Sequence, residues 1–226
     1  MSAVLAPRQS ISRATLAGLF LALIAPTLPS FIDPIFFGTT QTPVRIEWGI
    51  VVHWVNLAAL IVVVLLAEQQ RLVSIGLRPL RWWTIPLGLL AGLAIMALSG
   101  LLAKALKASS DPQFAVFLQS LPLTTRVLLV ITAGVFEETL YRGYALERLA
   151  SVFKSKWTAA GATVAVFTLA HIPAVGLAHL FPVFIVSLFI TLLYLWRRDI
   201  VVNIVAHATI DGVALLLMPI LTHHSA

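Results

Sequence analysis

The stretch Leu123–Leu149, LTTRVLLVITAGVFEETLYRGYALERL, begins as an apolar helix and then carries Glu137, Glu138, Arg142, Glu147 and Arg148. Read alone, it is a helix that ought to have a wet side. Its neighbours in the sequence leave little water for it. Apolar residues make up 60% of the 226-residue chain, charged residues only 11%, and the mean hydropathy is +0.99. A soluble domain of this length needs more polar surface than that. A helix needs ~20 apolar residues to cross a hydrocarbon core, and several stretches reach that length. Short alternating barrel strands are missing, so the spans are expected to be helical. The fold class that follows is all-α, a polytopic transmembrane bundle of about seven spans forming one integral membrane domain over residues 1–226.

Working outward, the first span is expected from about Ser12 to Ile32, with Pro26 and Pro29 bending or ending it. It reads as a retained helix rather than a cleaved leader, because no clear small-residue cleavage pattern follows it and many spans lie downstream. GTTQTPVRIE, residues 38–47, is expected to be a polar loop. The second span is expected from about Trp48 to Ala67, followed by the basic connector EQQRLVSIGLRPLR with a short interfacial helix. The third covers about Thr84–Leu106, and KASSDP ends it. An amphipathic lead-in from Gln113 precedes the charged helix. The fifth span runs from Trp157 to Ile172, closed by Pro173. The sixth covers Leu180–Trp196 and the seventh Ile200–Leu221. Trp48, Trp82, Trp83, Trp157 and Trp196 read as interfacial anchors.

The net charge is +6, from 15 Lys and Arg against 9 Asp and Glu. In a chain this apolar, the excess points to topology and anionic lipid, not to nucleic acid. Arg8, Arg13, Arg71, Arg78, Arg81, Arg148, Lys154, Lys156, Arg197 and Arg198 all fall on one side of the span order; Lys104 and Lys107 do not. The majority side is expected to be cytoplasmic, with the N-terminus on it and the C-terminus opposite, in a bacterial plasma membrane. There is no cysteine, which excludes disulfides, thiol nucleophiles and cysteine-based metal sites.

Ionisable groups inside membrane helices are costly and each needs a reason. Three segments hold them: Glu137–Gly143 (EETLYRG), Phe167–His171 (FTLAH), and Asn203–Asp211, ending in HATID. Glu138 and Arg142 are one turn apart and can pair. Glu137 points about 100° away in an α-helix and is free for another partner. Phe167 can wall off one side of the His171 imidazole. Asn203, His207 and Asp211 form a stripe at i, i+4 and i+8. Glu137 and His171 are equally far in sequence from Lys154 in the intervening turn. In an antiparallel pair they therefore sit at one height, ~25 Å from that turn at ~1.5 Å per residue. Convergence of Glu137, His171 and His207 on one cavity is the resulting expectation. The plainer alternatives are a helix-end ion pair for Glu138–Arg142, an interfacial His171, and an interhelical hydrogen-bonding stripe on the last helix. His179, His223 and His224 are assigned no role.

The three segments, in this order, resemble the signature of the CAAX-protease and bacteriocin-processing (Abi) family of intramembrane glutamic peptidases: Glu-Glu-x-x-x-Arg, Phe-x-x-x-His, His-x-x-x-Asn/Asp. The resemblance covers roughly residues 122–215, a peptidase-like core. It implies that Glu137 is the base that activates water, that His171 positions that water, and that His207 and the residue at 211 stabilise the oxyanion. Glu138 and Arg142 would orient the site, with Asn203 and Phe167 supporting. The family's chemistry implies no cofactor, with zinc, held by the same acids and histidines, as the second mechanism. The implied partners are membrane lipid and a peptide substrate, whether prenylated, bacteriocin-like or signal-anchor. A non-catalytic immunity or scaffold protein is the alternative, and a proton-coupled transporter stands third.

Eukaryotic relatives carry Asn where this chain has Asp211. Two accounts are open: a protonated Asp211 that donates as Asn would, which is preferred because a deep carboxyl is poorly solvated, or an ionised Asp211 that holds His207 in its charged donor form.

Overall fold

Four helices start on side-chain caps that the sequence supplies. Ser12 Oγ accepts from the Thr15 amide at 3.0 Å, and Thr42 Oγ1 from Arg45 at 3.3 Å. Ser155 Oγ accepts from Thr158 at 3.2 Å, and Asp199 Oδ1 from Val201 at 3.1 Å. Each satisfies an amide that the first helical turn leaves without a partner, worth ~1 kcal/mol.

The computed structural model describes residues 11–38, 41–108 and 112–223. Arg8, the 109–111 part of KASSDP and His224 lie outside them. The described residues form helices α1 (Arg13–Leu23), α2 (Leu28–Phe37), α3 (Pro43–Val62), α4 (Thr84–Ala105), α5 (Pro112–Ser120), α6 (Leu123–Glu137), α7 (Glu147–Phe153), α8 (Lys156–Ala170), α9 (Ile172–Val175), α10 (Leu180–Arg197), α11 (Ile200–Gly212) and α12 (Met218–His223). No strand occurs among the described residues. Six helical stretches are long and apolar enough to cross a membrane, and a seventh counts if the bent pair α5 and α6–α7 is one span. The molecule is a polytopic helix bundle, as its composition requires.

Three boundaries differ from expectation. The first span does not end near Ile32: a 3-10 turn at Ala25–Thr27 bends it and α2 carries it on to Phe37. The second span starts at Pro43, five residues before Trp48, because Thr42 caps it and Pro43 sits at its first helical position. The Arg45 charge is met by Asp33 at 3.7 Å. Pro173 does not close α8. His171 caps that helix, and Pro173 opens the short helix α9, extending the span to Val175. The expected lead-in is α5, bent 119° from the helix that follows. The interfacial helix expected in the basic connector is a 3-10 turn at Leu72–Ile75.

Helix α11, which carries Asn203, His207 and Asp211, lies directly on α4. Gly88 and Gly92 make this contact possible: a Cβ at Gly88 would stand 2.5 Å from Val205 Cβ, and one at Gly92 would stand 2.6 Å from the Ala206 carbonyl oxygen. Small residues four apart let helix backbones approach closely inside a membrane.

The basic loops meet at one end. Glu68, just beyond the α3 span, accepts from Thr15 Oγ1 at 3.0 Å, Tyr144 Oη at 2.8 Å and Arg148 Nη2 at 2.7 Å. Arg148 also donates to Ser74 Oγ at 3.0 Å. Glu147 pairs with Arg198, and Arg81 and Arg197 both lie over the Trp83 ring. The start of α1, the connector after α3, the start of α7 and the end of α10 are thereby tied together.

Burial alone would push the Glu68 carboxyl up. The hydrogen bonds and charge of Arg148, with the Tyr144 and Thr15 hydroxyls, outweigh burial and hold it below the ordinary glutamate range. A carboxyl lowered in the folded state contributes stability that is complete above its unfolded pKa and is lost as pH falls through the folded one. In detergent, Glu68→Gln should therefore melt below the wild type at pH 7, and the gap should hold down to about pH 5. It should then narrow as the pH drops below about 4. A gap unchanged at pH 3 would contradict this account.

Candidate active site

The motif helix changes register at the site. α6 ends at Glu137, and Glu138–Leu146 continue as a π-helix, with i→i+5 bonding, before α7. At the junction the Thr139 hydroxyl bonds back to the Val135 carbonyl at 2.6 Å, and the Glu138 amide also turns to that carbonyl. Such back-bonding competes with the helical ladder, and π segments recur at functional sites. All nine π residues are buried. The α-helical angle expected between Glu137 and Glu138 therefore applies only up to the point where the π turn begins.

Glu138 is the hub. Its side chain has no exposure, and Arg142 Nη1 donates to Oε1 at 2.8 Å. His207 Nδ1 lies 2.7 Å from the same oxygen, and Asn203 Nδ2 donates to Oε2 at 3.2 Å. A carboxylate only accepts, so His207 carries a hydrogen on Nδ1. Arg142 spends its other donors on α10: Nε on Thr191 Oγ1 at 3.2 Å, and Nη2 on Ser187 Oγ at 2.9 Å and its carbonyl at 3.2 Å. The guanidinium also lies 4.5 Å over the Phe167 ring. The expected Glu138–Arg142 pair is present, but it is a buried network across three helices rather than a pair at a helix end.

Glu137 is the opposite case. Its Oε2 is buried and has no hydrogen-bond partner among the described residues, and His207 Nε2 lies 3.8 Å from it. His171 Nδ1 lies 2.8 Å from the Phe167 carbonyl of its own helix, so Nδ1 holds the hydrogen and Nε2 carries a free lone pair when the ring is neutral. The Phe167 ring covers one imidazole face, centroids 4.5 Å apart. His207 Nε2 meets Asp211 Oδ2 at 3.4 Å.

Two cavities meet here. One, of about 240 Å³, is lined by Glu137 and His171 together with Asp33, Arg45 and His53. The other, of about 290 Å³, is lined by Glu137 and His171 together with Phe167, Ser187, His207 and Asp211. Phe114, Glu137 and His171 form the shared wall. All the residues expected to converge do so. Both cavities lie in the half of the bundle away from the basic loops, the first between the second half of the first span, the first half of α3 and the end of α8, the second between the end of α8, the first half of α10 and the second half of α11.

Asp211 is less buried than expected. Its side chain is 30% exposed, on a cavity wall.

Several residues at the site were not singled out in the sequence. Ser187 and Thr191 complete the Arg142 shell. Their only signal is a hydroxyl pair four residues apart in an apolar helix, and such hydroxyls commonly bond their own helix instead. His53 packs its ring on Phe136, centroids 4.2 Å apart, and faces the Glu137 cavity. Among the described residues no three His, Asp or Glu side chains are grouped so as to hold a metal ion.

Residues 119–213 match the family model described as type II CAAX prenyl endopeptidase Rce1-like. That segment contains all three motifs. No curated protein and no solved structure matches the chain.

Removing Arg142 leaves Glu138 a buried acid with its main cation gone, a loss of ~3–5 kcal/mol for a buried pair. Arg142→Ala should lower the melting temperature more than the double change with Glu138→Gln. A thermal double-mutant cycle measures this, and strictly additive effects would rule out the coupling.

Proposed function

We propose that the chain is an intramembrane glutamic endopeptidase that hydrolyses a peptide bond of a membrane-associated substrate, with Glu137 as the base that activates water. One observation carries this reading. Glu137 Oε2 is a buried acceptor without a partner, on the wall shared by two cavities, beside two histidines on other helices. A buried polar atom left unsatisfied on a cavity wall is a position for a substrate or a water.

In the reaction, water donates to Glu137 and to the free Nε2 of His171. Glu137 takes the proton as the oxygen attacks the scissile carbonyl carbon, forming a tetrahedral oxyanion. His207 is held by Glu138 at Nδ1, which fixes its ring and presents Nε2 to the cavity. With a hydrogen on Nε2 as well, it donates to the oxyanion. Collapse breaks the C–N bond, and the proton on Glu137 passes to the leaving amine. Glu138, Arg142, Asn203 and Phe167 hold His207 and His171 in place. No step requires a cofactor.

The position of Asp211 supports the account in which its charge holds His207 in the donor form, since its carboxylate faces Nε2 at 3.4 Å. Prenylated, bacteriocin-like and signal-anchor peptides are the substrate classes proposed, in a bacterial plasma membrane with the basic end cytoplasmic. The other partner is lipid, with no role for nucleic acid.

The test is a purified, detergent-solubilised protein assayed on a peptide library. Glu137→Gln keeps the shape and loses the base, and should reduce cleavage by ~10²–10⁴-fold with an unchanged melting temperature. Cleavage at the wild-type rate would reject the mechanism, and a wild type that cleaves nothing would favour the non-catalytic scaffold. Exhaustive chelation should leave the rate unchanged; a loss restored by zinc would favour the metal mechanism.

A pH series of Asp211 variants gives a separate check. If the Asp211 charge sustains the His207 donor, Asp211→Asn and Asp211→Ala should both lose ~10²-fold or more. An Asn variant within ~10-fold of wild type would restore the protonated-donor account.

A further inference from the structure

At the basic end, on the other half of the molecule from Glu137, a pocket of about 330 Å³ is lined by Arg78, Arg81, Arg197, Trp83 and Asp199. We propose that this pocket binds the phosphate of an anionic phospholipid headgroup.

Three guanidiniums share the pocket, and none of them forms an ion pair among the described residues. Two are stacked. Arg197 lies 4.4 Å from the Trp83 ring centroid and 4.9 Å from that of Trp196, and Arg81 lies 5.7 Å from Trp83. Attraction to a ring face leaves a guanidinium's hydrogens for the two-pronged contact that phosphate oxygens accept. Arg197 Nε is buried and has no hydrogen-bond partner among the described residues. The one acid in the wall, Asp199, is buried, and its Oδ1 is engaged in capping α11. Three cations against one anion leave the wall with two net positive charges.

The surroundings identify a lipid rather than a soluble phosphate as the ligand. Trp82, Trp196 and Leu80 are strongly exposed beside the pocket, 88%, 66% and 69% respectively. Indole rings occupy the headgroup level of a bilayer, and an exposed leucine beside them offers apolar surface to acyl chains. Basic pockets between membrane helices are suited to anionic headgroups.

The experiment uses the full chain in a neutral detergent and reads thermal unfolding. The probes are a short-chain phosphatidylglycerol, the phosphatidylcholine of equal chain length, and inorganic phosphate. Phosphatidylglycerol should raise the melting temperature with saturation, phosphatidylcholine less, and inorganic phosphate at equal concentration not at all. The Arg81→Gln/Arg197→Gln variant should need about 10-fold more phosphatidylglycerol for half-saturation, because each removed cation weakens headgroup attraction. The Arg71→Gln/Lys154→Gln variant removes the same charge at the same end but outside the pocket, and should shift it less than about 2-fold. If the first pair does not fold, Arg78→Gln, whose side chain is exposed, should still give a shift of about 3-fold. Equal shifts in pocket and control variants, or no protection by phosphatidylglycerol, would overturn the proposal. Equal protection by inorganic phosphate would keep the phosphate chemistry and reject the lipid as its source.

Discussion

The structure depends on one carboxylate, that of Glu138, which has no exposure to solvent in the middle of an apolar bundle. A charge in such a place persists only if it is paired and its lone pairs are filled. Here the donors come from three side chains: Arg142 one turn along the same helix, and Asn203 and His207 on α11. Arg142 in turn must spend its remaining hydrogens, and Ser187 and Thr191 on α10 receive them. Satisfying a single acid thus fixes the relative placement of the motif helix, α10 and α11. The neighbouring Glu137 gains its position from this without taking part: it is carried by the same turn and left with an open oxygen. The pair costs more to assemble than an apolar contact of similar volume would. What it supplies is a defined arrangement of the groups around it.

Much of this was legible in the sequence. The spans followed from apolar length, and Glu138–Arg142, Phe167–His171 and the stripe of Asn203, His207 and Asp211 followed from helical spacing. The equal-height argument for Glu137 and His171 agrees with their sharing two cavity walls. What spacing could not reveal depends on choices between near-equal options. The π register from Glu138 to Leu146 rests on carbonyls changing partners, which leaves no periodic trace in a run where every residue is buried. Gly88 and Gly92 are four apart in an apolar helix, a common pattern that becomes a contact only when a second helix is known to lie there. Glu68 and Arg148 are distant in sequence and sit at the edges of their spans, where charges are ordinary. The cavity beside Asp211 was not legible because span arithmetic places a residue along the membrane normal and says nothing about the volume beside it.

The two ends of the motif helix are built differently. Toward the basic loops, Glu68 has the hydroxyls of Thr15 and Tyr144 and the guanidinium of Arg148 all engaged, and a Cβ at Gly18 would collide with the Tyr144 ring. There the helix is closely packed and its Arg148 is paired. Toward Glu137 the helix borders open volume, and a buried oxygen goes unpartnered. Natural sequences break local rules of satisfaction where something else is to be bound, and the contrast within one helix places that exception at its middle rather than at its anchored end.

The π segment joins these two ends, and it makes the spacing between them unusually intolerant. In an α-helix, losing one residue rotates everything beyond it by about 100°. The widened turns between Glu138 and Leu146 hold Glu138 toward α10 and α11 while Arg148 faces Glu68 and Ser74. Removal of one residue from that segment would give the backbone a route back to ordinary α-helical winding. It would also swing Arg148 off its acid or Glu138 out of its pocket. In related chains, therefore, length between the second glutamate and the helix end should vary less than side-chain identity does. Insertions and deletions belong in the loops, and this stretch should admit substitution only.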